Sequence, residues 1–257
     1  VEFSIFEEME ETEGILLRKR TNPSAWVWIR EKKGHEDQKE IPVKIGRLTL
    51  KEESVGDKSK IAWTDATWNF LRGCTHVSEG CRNCYAERLS HWLVQSGMPY
   101  EGLDIVKGTP EGPKWTGKME FAPEMLEIPL NWKKPRKIFV NSMSDTFHPD
   151  IPAEIIINGF EVMAACRQHT FQVLTKRPER IGPVLYGEEG RWYLGGGDFL
   201  PNVWLGFSAE DQETFDARAL EMVKSGWPGI RWVSLEPLLG RTDISAFVYQ
   251  LSWVVVG

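Results

Sequence analysis

From Ile61 onward, short apolar runs rich in β-branched and aromatic residues alternate with stretches patterned for helix, and this alternation narrows the possible folds more than any other feature. Thr67–Leu71, Lys118–Phe121, Lys137–Ser142, Thr170–Thr175, Val203–Ser208, Arg231–Leu235 and Ser252–Val256 read as strands. Cys84–Ser96, Pro123–Trp132, Pro152–Arg167, Arg180–Tyr186 and Gln212–Lys224 read as helices. The third helix is the clearest: Asp150 is placed to cap it, Pro152 suits its first turn, and Ile156, Phe160 and Met163 share one face. In the first helix, Tyr85, Leu89, Trp92 and Leu93 form the expected packing face. Alternating units of this length imply a parallel sheet covered by helices. Val203–Phe207 and Val254–Val256 are apolar on both faces, as doubly covered strands must be. The expected architecture is therefore α/β, a partial or near-complete (β/α) barrel, with a doubly wound sheet as the alternative.

Residues 1–57 follow a different pattern. An acidic opening (Glu7, Glu8, Glu10, Glu11) leads to a basic stretch at Arg18–Arg20, the pair Trp26 and Trp28, and a charged run; Ile41–Leu50 reads as a strand. This segment is expected to be a small N-terminal appendage, with the main domain over 58–257. Residues 97–117 and 187–201 are expected to form long loops of the kind that often carry function. The chain starts with Val1 and stops after the strand-like Trp253–Val256, which predicts further residues beyond Gly257.

The composition is that of a globular protein, 41% hydrophobic and 26% charged, without a membrane-length apolar run or an export signal. A formal charge of −6 argues against a protein that coats nucleic acid generally. Local basic stretches, Lys133–Lys137 and Lys176–Arg180, could still meet nucleic-acid phosphate, although a solvated helix end is the better account of either. There are four cysteines, three of them within residues 74–84, too few and too clustered for a secreted disulfide scaffold. They point to metal binding in a reducing cytoplasm.

The cluster reads Gly73-Cys74-Thr-His-Val-Ser-Glu-Gly-Cys81-Arg-Asn-Cys84-Tyr85. Thiolates are soft ligands suited to iron–sulfur clusters or zinc. Held by Cys74, Cys81 and Cys84 alone, a [4Fe–4S] cluster keeps one iron free to chelate a small molecule. If His76 joins them, the set becomes Cys₃His, a closed structural zinc site. A redox-active Cys81–Cys84 pair is a third reading. Cys166, on an apolar helix face, is expected to be a packed core thiol.

Polar residues gather where the expected strands end: Asn141, Ser142, Ser144, Asp145 and His148; Lys176 and Arg177; Ser208, Glu210 and Asp211; Ser234 and Glu236. With parallel strands, these ends project toward the cysteine loop, where β/α barrels build their active sites. Individual positions have plainer readings: Asp211 as a helix cap, Arg177 and Glu179 as a surface pair.

Several separated motifs carry a resemblance. Trp63-Thr-Asp-Ala-Thr-Trp68-Asn69, the cysteine stretch through Cys84-Tyr85-Ala86-Glu87-Arg88, Phe139-Val-Asn-Ser-Met-Ser-Asp145-Thr-Phe-His148-Pro-Asp150, Val173-Leu-Thr-Lys-Arg-Pro-Glu179-Arg180 and Ser234-Leu-Glu-Pro-Leu-Leu-Gly240 are similar to the phage Gp37/Gp68 family (DUF5131) of uncharacterised proteins. That family is related to radical-SAM barrels. The resemblance covers about Ile61 to the end, leaves 1–57 outside, and implies further Gly, Glu and Ser residues beyond Gly257. It also implies S-adenosylmethionine at the open iron, an electron donor, and reductive cleavage to a 5′-deoxyadenosyl radical acting on a substrate, with nucleic acid a candidate. Tyr85 matches the aromatic that follows the last cysteine in radical-SAM proteins. Six residues rather than three separate the first two cysteines, and the usual Gly-Gly-Glu is missing, with Glu120 near its place. On this reading Asp145, Lys176 and Glu236 are the expected catalytic residues, and Tyr85, Glu120, Asn141, Ser142, Ser208, Glu210 and Ser234 the cofactor-binding ones. The alternative is a zinc-stabilised, phage-related binding module without catalysis; a barrel that has lost SAM chemistry is a third possibility.

Overall fold

The computed structural model describes residues 6–12, 15–20, 26–28, 59–96, 100–187 and 200–257. The chain divides into two compact units, Val1–Thr49 and Leu50–Gly257. In the first, β1 (Phe6–Thr12), β2 (Ile15–Arg20) and β3 (Trp26–Trp28) form an antiparallel sheet in sequence order. The register sets Glu8 opposite Lys19, so the acidic opening pairs with the basic stretch that follows it. The strand expected at Ile41–Leu50 lies outside the described residues.

In the second unit β4 (Ala66–Trp68) is followed by two small antiparallel ribbons. One pairs β5 (Leu71–Arg72) with β8 (Glu120–Phe121), the other β6 (Val106–Lys107) with β7 (Lys114–Trp115). Then come β9 (Lys137–Val140), β10 (Thr170–Thr175), β11 (Val203–Ala209), β12 (Arg231–Leu235) and β13 (Trp253–Val256). These five and β4 form one six-stranded parallel sheet, ordered β4-β9-β10-β11-β12-β13. The order never reverses, so the switch point that defines a doubly wound sheet is missing. Among the described residues β4 and β13 are edges and do not pair with each other.

The helices are α1 (Tyr85–Leu93), α2 (Pro123–Leu126), α3 (Ile128–Asn131), α4 (Ala153–Ala165), α5 (Ile181–Tyr186) and α6 (Gln212–Lys224). Right-handed crossovers between successive neighbouring strands place their helices on one face. The core agrees with this. Ile138, Val140, Phe171, Val173, Leu205 and Phe207 pack with Ile156, Phe160 and Met163 of α4 and with Phe215 and Met222 of α6. Cys166 belongs to the same core at 1% exposure, as its sequence context predicts.

The alternate positions of each strand face the other way. Toward the strand N-termini they form an aromatic layer. Trp63 lies 4.8 Å from Phe139 and 5.3 Å from Trp232, Trp232 lies 4.9 Å from Trp253, and Trp253 lies 5.7 Å from Trp204. Toward the C-termini the same face turns polar: Lys176 on from β10, Ser208 and Glu210 from β11, Ser234 from β12, with Ser208 in register with Ser234.

Several expectations need correction. Lys118–Phe121 does not enter the main sheet; only Glu120–Phe121 is extended, paired with β5. The helix expected over Pro123–Trp132 is two short ones meeting at Glu127, because Pro129 supplies no N–H to continue the first. Pro152, not Asp150, is the N-cap of α4, and it provides no side-chain cap. Asp211 does cap α6, accepting from Thr214 N in a reciprocal box. The face of α1 is reversed: Ala86, Glu87 and Ser90 are buried while Leu89 and Trp92 are exposed. Val254 and Val256 of the edge strand β13 are exposed rather than covered. Within 97–117 the chain forms the β6–β7 ribbon, not a structureless loop.

Candidate functional site

The cysteine loop leaves β5 through Gly73, whose φ of +90° and approach to Lys118 O (2.2 Å from an ideal Cβ) admit only glycine. Cys74 follows, then a 3₁₀ turn at Glu79–Cys81, and Cys84 stands at the N-cap of α1. The loop is not self-supporting; groups from distant strand ends fix it at two points.

The first point is the end of β10. Arg177 is buried and donates from Nη2 to Thr75 O at 3.0 Å and Thr75 Oγ1 at 2.8 Å. Its Nη1 donates to Asp145 Oδ2 at 2.8 Å and lies 3.9 Å from Cys74 Sγ. Asp145 is further held by Thr175 Oγ1 (2.6 Å), Lys176 N (3.0 Å) and Phe147 N (3.0 Å). His148 Nδ1 accepts from Asp150 N, so Nε2 is its donor toward Thr75 Oγ1 at 2.8 Å. The plainer reading of Arg177, a surface pair with Glu179, gives way to this buried pair with Asp145.

The second point is Glu210, wholly buried just beyond β11. It accepts from Gly80 N at 3.3 Å, from Lys176 Nζ at 3.2 Å and from Arg218 Nη1 at 2.9 Å. Arg218 also reaches Ser78 Oγ at 2.9 Å and Ser208 O at 2.7 Å. Burial alone would raise the Glu210 carboxyl, but the Ser78 hydrogen bond and the two cations outweigh it and hold the group to about 2. Gly80 has no room for a side chain, since an ideal Cβ would sit 2.9 Å from Glu210 Cδ and 3.0 Å from Lys176 Nζ.

Between these supports lies a cavity of about 150 Å³ at the C-terminal ends of the sheet. Cys74, Cys81 and Cys84 all line it. Tyr85, Trp115, Phe139 and Leu174 give it apolar walls, and Asn141, Ser142, Ser144, Lys176 and Ser208 give it polar ones. Burial, helped by the Asp145 charge and opposed by Arg177, pushes the Cys74 thiol up to about 12; burial also raises Cys84. His76 lines the cavity too, with Nε2 2.7 Å from Glu87 Oε1, an oxygen that also accepts from Trp115 N at 2.8 Å. Among the described residues, no three His, Cys, Asp or Glu side chains already stand as a metal-holding group. The donors nevertheless suit a soft metal: three sulfurs line one cavity, with Arg177 Nη1 3.9 Å from Cys74 and the backbone N–H groups of Ala86 and Glu87 directed at Cys84. Binding would have to gather the thiols and displace their protons, as at sites completed by the metal itself.

Of the residues singled out from sequence, the cavity brings together the three cysteines with Tyr85, Asn141, Ser142, Asp145, Lys176 and Ser208. Asn141, at φ +54°, spends its amide on Leu71 N and Thr146 Oγ1. Tyr85 donates to Ser142 O at 2.8 Å, and Ser142 Oγ to Asn69 Oδ1. Glu210 supports the loop from outside the cavity lining. Ser234 is buried beside Ser208 in register. Glu236 is exposed, within electrostatic reach of the Tyr85 hydroxyl but off the lining. Glu120 sits on the β5–β8 ribbon opposite Arg72, also off the lining. Arg218, Gly80 and Trp115 escaped the sequence reading. Only Gly80, a glycine between two cysteines, carried a signal there.

Fold and site together define an α/β protein with a sequentially ordered parallel sheet and a cysteine-lined cavity at its C-terminal edge. The family model described as "Protein of unknown function (DUF5131)" matches residues 58–257, and the chain belongs to that family. No curated protein and no solved structure matches the chain. Among the described residues no helix is long and apolar enough to cross a membrane.

Proposed function

We propose that this chain is a radical-SAM-like iron–sulfur enzyme, with Cys74, Cys81 and Cys84 holding a [4Fe–4S] cluster. The observation that carries the reading is the meeting of all three cysteines in one cavity at the C-terminal ends of parallel strands. The monotonic strand order with helices on one face supports a partial barrel, the architecture that places active sites at this edge. The motif resemblance to the phage Gp37/Gp68 proteins points the same way.

Cys74, Cys81 and Cys84 would hold the cluster, which, with an external electron donor, would supply one-electron reductive cleavage of S-adenosylmethionine to methionine and a hydrogen-abstracting 5′-deoxyadenosyl radical. The chain's own residues bind and exclude. Phe139, Leu174, Trp115 and the half-exposed Tyr85 ring present apolar walls, while Lys176, Ser142 and Ser208 offer polar contacts to a small charged molecule beside the cysteines. The Arg177 and Glu210 supports fix the loop from behind.

A specific observation favours a second reading. His76 lines the same cavity with its Nε2 on the Glu87 carboxylate, the outer partner that metal-bound histidines usually have. Through Nδ1 it would complete a Cys₃His zinc site. Metal analysis after anaerobic purification separates the two: iron with acid-labile sulfide supports the cluster, while stoichiometric zinc without sulfide overturns it. Formation of 5′-deoxyadenosine from S-adenosylmethionine with dithionite then tests the chemistry.

A further inference from the structure

Arg177 and Asp145 do more than tether a loop. Arg177 is 4% exposed and Asp145 6%, and the Arg177 Nη1 lies 2.8 Å from Asp145 Oδ2 and 3.9 Å from Cys74 Sγ. Both charges are felt at that sulfur, with opposite signs. Salt and solvent screen such buried charges much less than exposed ones, and charge and hydrogen bonding around a ligand sulfur help set the potential of the metal it holds. The Glu210–Lys176–Arg218 group also supports the loop but reaches it through Gly80 and Ser78.

We propose that Asp145 and Arg177 form an opposed charge pair that sets the electron affinity of the metal centre through Cys74. Both side chains line the cavity, but the role assigned to them here runs through the ligand sulfur, which makes them positioning residues. This rests on the iron–sulfur reading of the same site and assigns to it the residues that regulate its potential. Adding an electron makes the cluster more negative. The guanidinium favours that change and the carboxylate opposes it.

The experiment is a redox titration of the anaerobically reconstituted full chain, followed by the EPR signal of the reduced cluster, on proteins matched for iron and sulfide per chain. Asp145→Asn leaves the guanidinium unopposed and is expected to raise the midpoint potential. Arg177→Gln leaves the carboxylate unopposed and is expected to lower it; Arg177→Lys keeps the charge and is expected to stay near wild type. Opposite shifts support the pair, because loosening of the loop would not reverse sign between two neighbours. Shifts in the same direction, or none, overturn it. If one uncharged variant fails to load a cluster, the direction of the other decides, and if neither loads, the pair is a scaffold and the inference falls. Absence of iron and sulfide from the wild-type protein brings down the iron–sulfur reading first and this inference with it, an outcome distinct from a loaded cluster whose potential does not move.

Discussion

The Glu210 carboxylate lies against the backbone N–H of Gly80 at 3.3 Å, one residue before Cys81, and the same carboxylate is ion-paired to Lys176 and Arg218. Replacing it by the near-isosteric amide in Glu210→Gln leaves two cations facing a neutral group in a closed space. The expected loss is about 3–5 kcal/mol, the usual cost of removing one partner from a buried ion pair. Gly80→Ala is expected to displace the loop with a smaller loss of global stability, since its methyl group strikes Glu210 and Lys176. Urea denaturation measures the first effect; iron content after reconstitution measures the second.

The same carboxylate gives the fold an acid sensitivity. Its folded value of about 2 lies below the ordinary 4.5, so its stabilising contribution is complete above 4.5 and is lost as pH falls toward 2. The stability difference between wild type and Glu210→Gln should therefore be full at pH 7 and shrink steadily below pH 4.5. Denaturant melts at pH 7, 4 and 3 would check this.

Glu161 on α4 behaves in the opposite sense. Burial alone pushes its carboxyl up to about 7, with no charge or hydrogen bond among the described residues to offset it. The penalty is absent below the ordinary 4.5, grows as pH rises through 7, and is constant above that. Glu161→Gln is expected to stabilise the protein at pH 8 by about 1 kcal/mol, allowing for the side chain's partial exposure, and to be neutral at pH 4. Thermal melts at the two pH values provide the comparison.

The metal readings divide at His76. Under the cluster assignment, Cys74→Ala, Cys81→Ala and Cys84→Ala should each abolish the brown absorbance of reconstituted protein, while His76→Ala retains it. Under the zinc assignment all four substitutions should lower zinc content together. Absorbance and metal analysis on the four variants measure both outcomes.

Gly206 in β11 lies under the Trp232 indole, with an ideal Cβ only 2.5 Å from Cε2. Gly206→Ala is expected to cost about 1–3 kcal/mol by forcing the indole out of the aromatic layer. A lower melting temperature with changed tryptophan fluorescence would register it.

The elements best read from sequence were those governed by local pattern. Residues 203–208, 212–224 and 231–235 needed only β-branched runs, helical spacing and a cap at Asp211. The three-cysteine cavity was legible for a related reason: parallel strands oblige consecutive strand ends to meet at one edge. Partnerships across the chain were not. Leu89 and Trp92 have the spacing of a buried face, yet Glu87 is buried instead because Trp115 N and His76 satisfy it, and neither is near it in sequence. Arg177 read as one strand-end group among several, with a surface pair to Glu179 as the plainer alternative; its particular partners, Asp145 and Cys74, are set by the fold. Lys118–Phe121 has the composition of a strand, and composition does not say which sheet a strand joins.

The 130 residues separating Gly80 from Glu210 have a consequence for synthesis. All three cysteines are made early, but the groups that seat their loop belong to β10, β11 and α6, which emerge from the ribosome much later. The loop is therefore fully seated only once α6 has been made, and a nascent chain halted before Arg218 would carry its thiols without the Glu210–Arg218 support.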